Sequence, residues 1–187
     1  MIAKPYRLFG LQSVTRKFAS DRRGVSAVEF ALILPVMLVM YLGGVEVLQG
    51  IAINRMVALT ASTVTNLVSQ YTTISASSQM PDILNASAQV LTPYPVSNAT
   101  VVVTCISIDS TGKATVAWSQ ALNGSAKATG TVVTVPAQLD TPGTTLIFGE
   151  TTYNYAPAID FMNFGTIKLY SSVYMVPRAS TTINLAP

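Results

Sequence analysis

Of 187 residues, half are hydrophobic and only 10% are charged, far below the roughly 25% charged of an average soluble domain, which places the chain in a membrane or envelope setting. One cysteine and no histidine exclude an intrachain disulfide framework, a cysteine-cluster metal site and any imidazole-based triad or zinc site. The formal charge of +3 is uneven: Lys4, Arg7, Arg16, Lys17, Arg22 and Arg23 precede Gly24 with Asp21 the only acid, whereas residues 25–187 hold five bases and seven acids, so the body of the protein has no basic face for nucleic acid.

Residues 1–24 read as a basic leader that orients the apolar segment after it. From Phe30 to Val45 the sequence FALILPVMLVMYLGGV is uncharged. Those residues reach ~24 Å as a helix, and a bilayer core of ~30 Å needs about twenty. The run resumes after Glu46 as VLQGIAI, so a membrane helix can extend to Ile53. The basic flank predicts a cytoplasmic N-terminus and an external remainder. Pro35 should kink the helix locally, which membranes tolerate. Ala27 and Ala31 form a small-xxx-small pair, and Gly43 and Gly50, seven apart, share a face; both pairs are candidates for close helix packing. Glu46 stands near the outer interface. It either snorkels there or pairs with Arg55 or with a neighbouring subunit.

Past the bilayer, Ile53, Met56, Val57, Thr60, Val64, Leu67, Val68 and Tyr71 recur at near-3.6 spacing, with Asn54, Arg55, Ser62, Asn66 and Gln70 on other faces. One helix from about Val25 to about Tyr71 is expected, apolar all round first and amphipathic later. After a polar connector, MPDILNASAQVL reads as a short helix with Pro81 in its first turn and Pro93 beyond its end. Residues 100–109 and 114–121 read as a hairpin about Ser110-Thr111-Gly112-Lys113, with Val116 and Trp118 on one face. Cys105, in the apolar run VVVTCISI, is expected to be buried and structural. Residues 144–156 and 166–176 give two more strands, joined by APAIDFMNFG. The expected fold is α+β: a long N-terminal helix packed on a small antiparallel sheet of about four strands. The chain thus divides into a leader 1–24, a helix 25–78 and an external α+β domain 79–187.

No catalytic constellation emerges, so the chain reads as a non-enzyme with no cofactor and no metal. Asp109, Asp140 and Asp160 sit at turns, where Asp is usually structural. Glu150, close to Tyr153 and Tyr155, reads as a hydrogen-bonded or sheet-edge carboxylate.

The stretch RRGVSAVEFALILP, residues 22–35, places a glycine five residues before a carboxylate at the mouth of the apolar run. An ordinary secretory signal would instead be cut after its apolar core, here after Ala52, releasing a soluble adhesin or enzyme; that is the alternative reading. The stretch resembles the type IV pilin superfamily, and more narrowly TadE-like proteins, the minor pilins or pseudopilins of Tad (Flp) pili. The likeness rests on Gly24, Glu29-Phe30 and Pro35. It extends to residues 130–178, where VPAQLDTPGTTLIFGETTYNYAPAIDF and TIKLYSSVYMVPR are similar to the tail of that family, with Val176 where a basic residue is expected.

The resemblance implies a pilin-like fold and cleavage between Gly24 and Val25 by a membrane prepilin peptidase. It further implies docking through Glu29 and Phe30, the glutamate pairing with the new α-amino group of a neighbouring subunit. A bare headgroup contact of Glu29 is the plainer alternative. The implied partners are the inner membrane, the peptidase, other Tad pilins or pseudopilins and assembly-platform proteins. The implied location is the bacterial inner membrane, single-pass with the C-terminal domain periplasmic, or the pilus itself.

Overall fold

The computed structural model describes residues 23–157 and 165–187; nearly all of the basic leader, and Asp160 with the connector around it, lie outside the described residues. Helix α1 spans Arg23–Ser69 and is assigned without a break through Pro35, close to the expected Val25–Tyr71. The chain divides between Val45 and Glu46 into two compact units. The second holds the rest of α1 and every strand.

Within that second unit the amphipathic reading of α1 holds. Ile53, Val57, Thr60, Val64 and Val68 are buried, Met56 and Leu67 half-buried, and Asn54 and Arg55 exposed. The buried face is wider than the apolar stripe, because Ala61, Thr65 and Ser69 are buried as well. Hydroxyls can be sunk there since they bond to the helix itself: Thr60 Oγ1 donates to the Met56 carbonyl at 2.9 Å and Thr65 Oγ1 to that of Ala61 at 2.7 Å. Tyr71, counted in the stripe, lies beyond the helix end and is exposed.

Strand β1 (Thr73–Ser75) and helix α2 (Gln79–Ala88) come next. Pro81 lies in the first turn of α2, where no intrahelical N–H is required, and Met80, Ile83, Leu84 and Ala88 turn inward. Then come β2 (Ala99–Ile108), β3 (Ala114–Leu122), β4 (Thr145–Tyr155) and β5 (Ile167–Met175). They form one antiparallel sheet in the order β3-β2-β4-β5. The architecture is the expected α+β one, a long helix against a four-stranded sheet.

The hairpin turn is built from its sequence. Asp109 Oδ1 accepts hydrogen bonds from the Thr111 N–H at 2.8 Å, the Thr111 hydroxyl at 2.6 Å and the Lys113 N–H at 2.9 Å. Those donors, the Thr111 hydroxyl first, hold its carboxyl below the usual range. Gly112 takes the positive φ of 80° that the turn requires.

One detail differs from the strict alternation expected of β3. The register shifts between Cys105 and Ile106, so that Trp118 pairs with Cys105 but Val116 with Ile106. This bulge adds one residue to β3, Ala117, and reverses the side of everything before it. Val116 and Trp118 therefore lie on opposite faces, not on one.

The inner face is the main core. Val64 and Val68 of α1 meet Val101, Val103, Cys105, Trp118 and Ile147 of the sheet, and Ile53 and Val57 meet Ala99, Tyr153 and Tyr155. Each valine or isoleucine among them, fully removed from water, contributes about 1.5–3 kcal/mol. The helix comes closest at Gly149. A Cβ built there would stand 1.9 Å from Thr65 Oγ1 and 2.9 Å from the Ala61 carbonyl oxygen, so this crossing exists only because β4 has no side chain at that position. The outer face carries a second cluster, Ile106, Ile108, Ala114, Leu146 and Phe148, roofed by Val133, Val135 and Leu139. Covered on both sides, β2 can be the near-continuous apolar run that its sequence shows.

The chain then returns. The Arg178 N–H donates to the Ser69 carbonyl at 2.8 Å, satisfying one of the carbonyls that a helix end leaves open. Ile183 is buried, and its carbonyl accepts a 2.7 Å hydrogen bond from Trp118 Nε1. Strand β6 (Asn184–Ala186) pairs in parallel with β1. Cys105 is buried beneath this tail, and burial pushes its thiol up to about 11.

Candidate functional site

The leading part of α1 carries the residues singled out from sequence. Gly24, Val25, Ala27, Glu29, Phe30, Ala31 and Pro35 are helical and exposed. So are most of the large side chains from Val25 to Val45, up to 74% for Met40. In water such a surface would be untenable: apolar patches beyond a few hundred Å² mark contact with a membrane or another protein. The helix is long and apolar enough to cross a membrane.

Ala27 and Ala31, four apart, share a face, as do Gly43 and Gly50. The glycines differ in surroundings. A Cβ at Gly24 or Gly43 would meet nothing within 4 Å, whereas one at Gly50 would meet Tyr155 Cε1 at 3.7 Å. Gly50 thus lies against the chain's own sheet, and Gly43 leaves its surface open.

Glu46 has a partner that periodicity could not supply. The Tyr155 hydroxyl, at the end of β4 and 109 residues away, donates to Glu46 Oε2 at 2.5 Å. Burial, and then the Glu46 carboxylate, push the Tyr155 phenol up to about 12, so it remains a proton donor at any physiological pH. The sequence signal for this contact was the solitary acid at the end of the apolar run; what it lacked was any mark on Tyr155 as the recipient.

Glu150 is a hydrogen-bonded carboxylate on the outer face. It forms an ion pair with Lys127 and accepts from the Tyr170 hydroxyl at 3.0 Å. Lys127 also lies 4.6 Å from the centre of the Phe148 ring, which stacks on Tyr174 at 4.2 Å. This group fastens the loop after β3 onto the outer face through the side chain of Lys127. Among the described residues, no three of the Cys, Asp and Glu side chains come together in a group that could hold a metal ion.

The family model described as TadE-like protein matches residues 24–68, which is α1 without its terminal residues. The match takes in Gly24, Glu29, Phe30 and Pro35, and the resemblance read at residues 130–178 lies outside it. No curated protein and no solved structure matches the chain. The family suggests involvement in the Tad pilus as a structural component among others, and a long apolar N-terminal helix fits a membrane-anchored protein.

Proposed function

Starting from an N-terminal helix of the TadE-like family, we propose that this protein is a minor pilin or pseudopilin in the assembly of a Tad (Flp) pilus. It is inserted with its N-terminus in the cytoplasm and cut between Gly24 and Val25 by a prepilin peptidase. It then docks laterally, through α1, with other pilin-type subunits and the assembly platform of the inner membrane. The observation that carries this reading is the apolar, largely exposed stretch of α1 from Gly24 to Val45, with a carboxylate five residues in.

A charge in hydrocarbon costs at least ~2.5–3.5 kcal/mol. Cleavage would create an α-amino group at Val25, and the Glu29 carboxylate of an incoming subunit could pair with that of a neighbour. The pair offsets the cost of both charges and fixes one docking register. Phe30 sits beside the carboxylate, and Ala27, Ala31 and Gly43 supply small surfaces for close helix approach. Release after Ala52 is the competing route. It would cut α1 immediately before the core residue Ile53 and separate Glu46 from Tyr155.

Terminal-peptide mass spectrometry of the membrane-extracted protein decides between them. A start at Val25 is the expected result; a start at Ile53 in a soluble fraction would sink the proposal. Gly24→Val should leave the precursor uncut. Glu29→Ala should be cleaved normally, yet co-purify with other pilin subunits about tenfold less or worse, since close charge pairs at interfaces are worth at least ~1.5 kcal/mol. Glu29→Gln, similar in shape, should lose as much. Undiminished co-purification of both variants would leave Glu29 as a mere headgroup contact.

A further inference from the structure

The stretch of α1 beyond the apolar run differs from side to side. Glu46, Gly50, Ile53 and Val57 turn toward the sheet, whereas Val47, Leu48 and Ile51 are 63%, 69% and 62% exposed. An apolar stripe therefore continues past Glu46 on the face away from the domain. Counted from Phe30 to Ile51, the apolar length is ~33 Å at 1.5 Å per residue, a match for a hydrocarbon core of ~30 Å. Glu46 then stands about 7 Å inside the outer end of that length, where a carboxylate needs a donor, and Tyr155 provides one at 2.5 Å.

The hydrogen bond ties Tyr155, and with it one end of the folded domain, to α1 at Glu46. That end holds a cavity of about 230 Å³ lined by Gln49, Tyr94, Asn98, Tyr153 and Tyr155 among others. None of its lining residues is charged. Neutral phenols and amides beside an apolar stripe are the chemistry of the boundary between headgroups and acyl chains, where tyrosine is enriched because one end of it is apolar and the other wet.

We propose that this end of the domain, around Tyr94, Asn98 and Tyr155, is seated in the headgroup layer of the leaflet on the domain's side. The inference rests on the membrane-spanning reading of α1 given above. A lipid surface is favoured as the occupant because the stripe Val47, Leu48 and Ile51 is continuous along the chain with the membrane segment. The seat would hold the domain at a fixed height while the subunit waits in the membrane, and extraction into a filament would have to strip it from the headgroups.

The test uses the full chain, reconstituted in vesicles of phosphatidylethanolamine and phosphatidylglycerol. Native Cys105 is buried and its thiol raised, so introduced cysteines can be spin-labelled selectively. Labels at Asn98→Cys and, independently, Ala156→Cys probe the seat. Met40→Cys probes the span, and Ser110→Cys probes the opposite end of β2, ~30 Å away along the strand. The relative accessibility to oxygen over a water-soluble nickel complex reports depth. Labels at 98 and 156 should fall between the deep value at 40 and the aqueous value at 110. Aqueous values at 98 and 156 with a deep value at 40 would overturn the seat while sparing the span. An aqueous value at 40 would overturn both.

Discussion

Gly149→Val is expected to cost about 3 kcal/mol or more, the upper end of what overpacking a filled core does. The reason is geometric. Even the Cβ of alanine would fall 1.9 Å from Thr65 Oγ1 and 2.9 Å from the Ala61 carbonyl oxygen, and Ala61 and Thr65 are both fully buried. The Thr65 hydroxyl is already committed to the Ala61 carbonyl, so rotating it away breaks a buried hydrogen bond. The backbone oxygen has no alternative position unless the helix moves. Moving α1 back from β4 loosens the contacts of Val57, Val64 and Val68 together, because one rigid rod carries all three. Thermal unfolding of the full chain in detergent, followed by the emission of its one tryptophan, measures the loss. Gly149→Ala should be milder than valine, and Thr65→Ala in the same chain should recover part of its deficit, since that removes the nearer clash and leaves the farther one. A wild-type midpoint for Gly149→Ala would contradict the close crossing.

Trp118→Ala is expected to destabilise by about 3–5 kcal/mol. The indole is nearly buried and belongs to the main core cluster with Val101, Cys105 and Ile183, and its N–H is the donor that holds the returning tail through the Ile183 carbonyl. Trp118→Phe separates the two contributions. Most of the volume stays, and the buried Ile183 carbonyl keeps only the long 4.0 Å contact from the Cys105 thiol, a loss of about 1 kcal/mol or more. The tail beyond Arg178 is otherwise held by Ile183 and the three-residue pairing of β6 with β1. Local opening should therefore show first there. Limited proteolysis should cut Trp118→Phe after Arg178 faster than wild type while the sheet stays intact by far-ultraviolet circular dichroism. Equal cutting rates would mean that Ile183 packing and the pairing of β6 with β1 hold the tail without the indole hydrogen bond.

Much of the molecule was legible in its sequence because the signals involved are local. The uncharged run after Glu29 specifies an apolar helix whatever surrounds it. Ile53, Val57, Val64 and Val68 mark one helical face by spacing, and the strands of the sheet are marked by alternation and turn residues. Asp109 closes its turn with donors two and four residues away, so nothing distant was needed to foresee it. The residues proposed for processing and docking, Gly24, Val25, Glu29 and Phe30, could likewise be singled out by order along the chain.

What only the tertiary structure decided are the facts that join distant segments. Glu46 finds a donor in Tyr155, 109 residues on, a residue that nothing in its own neighbourhood of the chain announces. Ala61 and Thr65 are buried, although their chemistry does not mark them as core, because Gly149 opens a site for them across the sheet. One bulge at Ala117 turns Val116 away from Trp118, since a single added residue reverses a period of two. The tail returns to lay Ile183 against Trp118, and no periodicity in residues 176–187 announces it. Secondary structure arises from spacings within a few residues, which the chain states outright. Which faces meet depends on fitting volumes and on pairing donors with acceptors between segments far apart in sequence, and that is settled only when all of them are packed at once.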